Sequence, residues 1–445
     1  MAEEAIGTKR DGLACCGWRT RTGTRAEALM RRRTQPEGHG PVRYGPPLPD
    51  QGLPVLPGLV ARLCAAAERP AAEPVGGGPE LLEAASGYWD RRGLPTGPDR
   101  VAAAPGAPAL LLALATAVGG DVLIPRPCAA WWAPGTRASG RSPFPVPTPA
   151  ECGGVPDPYA LLETVRRVRV EGGDPRLLVL CVADDPTATV APPELVHETL
   201  EAAVSEGLHV VSDETWRDTV HAPHDTVLLG PAEMLPGRVT VVTDLVGSFL
   251  PPGWPAAVAR FPDDDMGGAL RARVLDVLTG LGAHVATPVA AVAAHALGEP
   301  AEVTARLTAA VRLHARVAGA LHRAVVAAGA LAPPPVAGRH VYADLGPLRP
   351  ALARYGVGDA QELEDFLAFR LDMPAPGGHR FGDDLGALRV RLSTSPLLGT
   401  TAEERAASLT APDPLELPHV ERALSEFASA FEDLDDNTRR REPRR

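Results

Sequence analysis

Apolar and polar positions follow two periods along the middle of the chain. Residues 107–118 (APALLLALATAV) predict a buried helix, and 121–124 (DVLI) a short apolar strand closed by Pro125. Residues 158–168 place Leu161, Leu162, Val165 and Val168 on one helical face. A fully apolar strand follows at 177–183, then a helix at 193–206 that begins on proline and ends before Gly207. Further strands are predicted at 208–212 and 238–243. Continuous apolar strands alternating with helices specify an α/β fold with a mostly parallel sheet covered on both faces. The last third changes character. Long Ala/Val/Leu/Arg-rich helical patterns at 266–297 and 302–329 are followed by a strand at 339–345, a helix near 359–371, an alternating strand at 387–393 and a helix near 416–432. This predicts a smaller α+β domain. The expected division is a basic tail over 1–40, an arm over 41–75, a large α/β domain over 76–290, the small domain over 291–432, and a basic tail over 433–445. No internal repeat is visible.

The 445 residues are 45% apolar and 22% charged, ordinary for a globular protein. Every long apolar run is interrupted well before the roughly 20 residues a membrane span needs. The 45 glycines and 48 prolines follow no period, so they predict turns rather than collagen. A net charge of −11 argues against nucleic acid as a partner. The six cysteines are scattered without CxxC spacing, which fits a reduced, cytoplasmic protein, and no apolar signal-peptide core follows the start. Two readings of 1–40 stand side by side: a disordered basic arm, or an over-extended start with Met30 as the true first residue. A compositional fact changes the picture more than these. Lys9 is the only lysine, and the remaining basic residues are 43 arginines. Codon bias accounts for much of this, but any reaction that needs a lysine inside the fold has none beyond residue 9.

In open α/β sheets, ligands sit beyond the carboxyl ends of the strands. Three such ends carry chemistry here: Asp184 to Val190 (DDPTATV), Ser212 to Trp216 (SDETW), and Thr243 to Pro255 (TDLVGSFLPPGWP). Taken in order, they resemble the class I/II aminotransferases, the fold type I family that uses pyridoxal 5′-phosphate (PLP). That family's pattern is N-P-x-G, then D-E-x-Y, then S-x-S-K followed by P-G-x-R. The spacing agrees: 28 residues from Asp185 to Asp213 and 34 from Asp213 to Gly247. GYWDRRGLP (87–95), APGAPALLLAL (104–114), GDVLIPRPCAAWW (120–132) and APGGHRFGDDLGALRVRLST (375–394) extend the resemblance over about 75–400. It implies a fold type I architecture, a homodimer with its cleft at the subunit interface, and PLP chemistry on amino and keto acids.

Position by position, the resemblance implies a degenerate site. The family's Schiff-base lysine falls on Gly247, which offers neither nucleophile nor base, so no catalytic residue is assigned. The hydroxyl three residues earlier falls on Asp244 and the phosphate arginine eight residues later on Pro255. A carboxylate repels a phosphate dianion, and losing the arginine removes a charge-assisted clamp. Gly106, Ala107 and Pro108 match the helix start that offers N–H groups to phosphate, although Pro108 has none. The stacking aromatic falls on Ala129, with Trp131 and Trp132 near enough to refill its space. Trp216 replaces the ring-hydroxyl tyrosine, Asp185 the asparagine of N-P-x-G, and Ala188 its glycine. Asp213 matches the partner of the pyridinium nitrogen, and Arg391 the arginine that grips a substrate α-carboxylate bidentately. The vestigial cofactor pocket therefore comprises Asp213, Gly106, Ala107, Trp216 and Asp185, with Arg391 as substrate residue. No bound cofactor is expected; PLP enters by resemblance only.

Three functions follow. The first is a non-transaminating pseudoenzyme that binds a small molecule, such as an amino or keto acid, or a protein partner. The second is an enzyme of altered chemistry that uses its carboxylates, with PLP or its amine form held non-covalently or with no cofactor. The third is an ordinary aminotransferase, which the missing lysine opposes. Other features read as structural. His221 and His224, separated by Ala222-Pro223, suggest a surface loop rather than a metal site. His209 reads as a core histidine, Asp263–Asp265 as a solvated loop, and Gly76–Gly78 as a turn. No P-loop, dinucleotide fingerprint or Ser-His-Asp signature is present.

Overall fold

The computed structural model describes residues 42–439; the basic tail expected over 1–40 and the end of the one expected over 433–445 lie outside them. Residues 44–439 belong to one compact unit. Seven strands make a single sheet: β1 (Val101–Ala104), β2 (Asp121–Arg126), β3 (Pro143–Pro147), β4 (Pro175–Cys181), β5 (His209–Asp213), β6 (Val239–Asp244) and β7 (Ala257–Arg260). Their spatial order is β1-β7-β6-β5-β4-β2-β3. Only β7 runs antiparallel, to β1 on one side and β6 on the other.

Alternate residues along each strand enter opposite cores, as a period of two requires. Leu178, Leu180, Val210, Val239 and Val241 join one cluster; Leu177, Val179, Cys181, Val211 and Val242 join the other. Both faces of the sheet are thus covered, which is why its strands read as unbroken apolar runs.

A second sheet pairs β8 (His340–Asp344) with β9 (Arg389–Ser393) antiparallel, and Tyr342 stands opposite Arg391. It packs with the 27-residue helix Ala301–Ala327 around a third core that includes Leu313, Leu321, Val341 and Leu392.

The differences from the sequence reading have local causes. β1, β3 and β7 are short strands absent from it; β3 (PFPVP) holds three prolines and lies at the sheet edge, where a missing N–H costs no ladder bond. The helical pattern over 266–297 is two helices, Asp265–Gly280 and Thr287–Leu297. They are separated at Gly282, whose φ of +61° a side chain disfavours, and Pro288 sits in the first turn of the second. The last helix, Pro418–Arg439, continues beyond 432 into the segment read as a tail.

Candidate functional site

Parallel pairing brings the carboxyl ends of β4, β5 and β6 side by side, with Cys181 beside Asp213 and Asp213 beside Val242. The three motif loops therefore meet at one edge of the sheet.

Asp213 is buried at the end of β5. One carboxylate oxygen accepts from the Thr215 N–H (3.0 Å) and hydroxyl (2.6 Å). The other accepts from the indole Nε1–H of Trp132 at 3.2 Å. Burial pushes the Asp213 carboxyl up to about 6 despite these donors. Trp132 is 1% exposed and edge-on to Trp131, 6.1 Å between ring centroids. Of the two tryptophans at this point of the sequence, it is Trp132 that reaches Asp213. Ala129 is buried in the same core.

Asp244 ends β6 and turns toward the helix Ala107–Val118. One carboxylate oxygen accepts from the Ala107 N–H at 2.8 Å, and the other from the Val246 N–H at 2.9 Å. Burial raises the pKa of this carboxyl, and the two backbone donors oppose the rise. The next helical residue, Pro108, has no N–H to offer. The N-cap Gly106 has a φ of +106°, a conformation only glycine adopts without strain. The positive end of the helix dipole thus faces a carboxylate of the chain itself.

Asp185 lies across from the small sheet. Its carboxylate accepts from Arg391 at 2.7 Å, with His340 Nδ1 at 3.7 Å. Burial works against ionisation, but the Arg391 guanidinium prevails and holds this carboxyl below its ordinary range. Arg391 also stacks over Phe381, 4.7 Å to the ring centroid. The guanidinium expected to grip a substrate carboxylate therefore grips a carboxylate of the chain. Trp216 is edge-on to His340 at 5.6 Å and lies beneath Arg339 at 5.1 Å.

Position 247 is crowded. A Cβ built on Gly247 would stand 2.8 Å from Thr215 Cγ2 and 3.0 Å from its carbonyl oxygen, so any side chain there requires the loop to shift. Ala188 adopts a φ of +59°, a region that favours the glycine it replaces. Pro255 is exposed before β7.

His221 is not on a free surface loop: its ring nitrogens meet the carbonyls of Pro335 (3.2 Å) and Gly338 (2.9 Å), a clamp between distant segments, and burial lowers its pKa. Asp264, in the run read as solvated, caps the helix Asp265–Gly280 through the Gly267 N–H. His209 bonds Thr240 at 2.9 Å as a core histidine does, and no metal-holding cluster exists among the described residues. His314, Arg306 and Arg339, which line a cavity next to Gly247, and Asp50, which faces Arg339 at 3.8 Å, were not singled out in the sequence. They lie in separate segments with no motif to join them.

Asp184 gives the clearest pH signature. Burial pushes its carboxyl up to about 7, although Thr187 donates to it through both N–H and hydroxyl, and Oδ1 has no partner. A carboxyl whose folded pKa lies above its unfolded value keeps its proton longer in the fold, so its contribution to stability is lost as pH rises through the folded pKa. Asp184→Asn, a mimic of the protonated form, is expected to match wild type near pH 4. By pH 8 it should be about 4 kcal/mol more stable relative to wild type. Urea melts of both proteins across that range check this. The comparison must be a difference, because buried His209 and His314, pushed down to about 4 and about 3, change total stability in the opposite sense.

This sheet order, with its antiparallel β7, is the architecture of fold type I aminotransferases. The chain is similar to the Thermus thermophilus aspartate aminotransferase tetra mutant 1 (TM-score 0.67, 21% identity, 87% of this chain and 94% of that one). It is also similar to the aromatic aminotransferase from Pyrococcus horikoshii OT3 (TM-score 0.68, 19% identity, 89% and 94%). The model of the family "Aminotransferase class I and II" matches residues 67–364, and the chain belongs to that family. A "Probable aspartate/prephenate aminotransferase" of Thermus aquaticus is 30% identical over 195 residues, 42% of this chain. That match spans about half (48%) of the relative's length.

Proposed function

We propose that this chain is a non-transaminating member of its family, whose cofactor site is closed by its own side chains and which acts by binding. The observation that carries the reading is a threefold substitution by internal groups. The Asp244 carboxylate takes the helix N–H that would face a phosphate. The Trp132 indole N–H takes the acceptor that would face a pyridinium. The Asp185 carboxylate takes the guanidinium that would face a substrate. Each replacement has the charge or donor character of the group it displaces, so the buried partners are satisfied without a ligand.

The residues present do not fit PLP. Asp244 would set a carboxylate against its phosphate, position 247 has no amine and no room for one, and Lys9 is the chain's only lysine. The altered-enzyme alternative gains little from Asp184, which is 4% exposed and lies within the fold. A homodimer is proposed from the family's general habit. A cytoplasmic location is proposed from free thiols at Cys64, Cys128, Cys152 and Cys181, and no described helix is long and apolar enough to cross a membrane. The division into large and small domains near residue 290 is likewise proposed, on the two separate sheets.

The test is an absorption spectrum of dialysed protein with and without added PLP, followed by borohydride reduction and intact-mass measurement. No cofactor band and no adduct are expected. A band that survives dialysis would overturn the closed-site reading, and a stable adduct away from Lys9 would overturn the assignment of Gly247.

A further inference from the structure

Beside the closed pocket lies a cavity of about 110 Å³, lined by the arm residues Leu53 and Leu56, by Gly247 and Phe249, and by Leu307 and Val311 of the long helix. Its walls are mainly apolar, yet two guanidinium groups also line it, Arg306 and Arg339.

Neither cation is fully satisfied. Arg306 donates through NH2 to the Pro54 carbonyl at 2.7 Å, but its buried NH1 has no hydrogen-bond partner. It has no carboxylate partner among the described residues. Arg339 lies over Trp216, its Nε lacks a hydrogen bond, and its nearest carboxylate oxygen, on Asp50, is 3.8 Å away. Asp50 is itself occupied, accepting from the Ser393 hydroxyl at 2.7 Å.

Counting the charges around this corner, Arg306, Arg339 and Arg391 face Asp50 and Asp185, which leaves one positive charge without a counter-charge. His314 and His340 do not change the balance, since burial lowers both and keeps them neutral. An unpaired cation beside an apolar cavity costs free energy unless an anion meets it.

We infer that this cavity is a binding site for a small monocarboxylate with a short apolar tail, its carboxylate held by Arg306 and Arg339 and its tail against Leu53, Leu56 and Val311. The size agrees: a buried apolar cavity of about 150 Å³ holds one benzene, so about 110 Å³ suits a tail of a few carbons. The site needs no amino group on the ligand and does not use Arg391, which Asp185 already holds. The inference deepens the binding role proposed above and rests on it, in that the cavity is free for a ligand when the neighbouring pocket is filled from within.

The probe is pentanoate, titrated calorimetrically into the full-length protein, with pentanamide as its neutral counterpart. Pentanoate is expected to bind saturably and pentanamide at least tenfold more weakly. Arg306→Gln, on the more exposed cation, should weaken pentanoate at least tenfold while leaving the urea midpoint close to wild type. Arg339→Gln should do the same where it folds. Equal binding of pentanamide, unchanged affinity in Arg306→Gln, or no saturable heat would overturn the site. The cofactor spectrum of the same preparation separates the two readings. Failed pentanoate binding without a cofactor band overturns the anion site alone; intact pentanoate binding with a retained band overturns the closed cofactor pocket alone.

Discussion

Trp132→Ala is expected to destabilise the fold by about 3–5 kcal/mol, the range for removing a large buried aromatic. Trp132 is 1% exposed and closes the core beneath the carboxyl ends of the central strands. The substitution also leaves one oxygen of buried Asp213 without its donor. Trp132→Phe separates the two effects, because it keeps most of the ring and removes only the N–H. We expect it to cost about 1–3 kcal/mol, the penalty for a buried acceptor left unpaired. Urea denaturation of the three proteins at pH 7.5 gives both numbers. Wild-type stability in Trp132→Phe would sink the idea that the indole N–H substitutes for a pyridinium at Asp213.

The second large effect concerns the Asp185–Arg391 pair, whose side chains are only 15% and 11% exposed. Arg391→Ala removes one partner and leaves a buried carboxylate beside His340, which burial keeps neutral. The expected loss is about 3–5 kcal/mol. Replacing both partners with apolar residues, Asp185→Leu with Arg391→Met, should recover most of it, since desolvating two charges offsets much of their attraction. A double-mutant cycle reads the coupling. Additive losses would mean that the pair carries no interaction of its own, and Arg391 would again be available to a ligand's carboxylate.

The alternation of apolar strands and helices follows from local periodicity, so the parallel sheet and the family's motif loops could be read directly. The replacements at Gly247, Asp244, Trp216 and Asp185 were equally visible, since each occupies a defined offset in a motif. What filled the vacated roles was not visible. Trp132 and Asp213 are 81 positions apart in the chain, and Asp185 and Arg391 are 206 apart. No periodicity or spacing rule reaches across such distances; the tryptophans stood out only as neighbours of Ala129.

The short strands β1, β3 and β7 escaped for a different reason. Four or five residues of alanine or proline carry too little pattern to distinguish a strand from a loop, and only pairing with an adjacent strand defines them. The cavity cations are the extreme case. Arg306 and Arg339 were indistinguishable from other arginines until the long helix and the loop before β8 brought them to one apolar wall.

The sequence by itself determined the chemistry that is missing: one lysine, at residue 9, and glycine where the family carries its amine. That conclusion needs no coordinates, because a side chain that is absent cannot be supplied by folding. Only the tertiary structure decided what replaced that chemistry. Asp244 on a helix start, Trp132 on Asp213 and Asp185 on Arg391 are through-space pairings, set when the sheet aligns its strand ends and the small sheet meets them. Burial then gives each pairing its energetic weight, because a charge or donor excluded from water must find its partner within the fold.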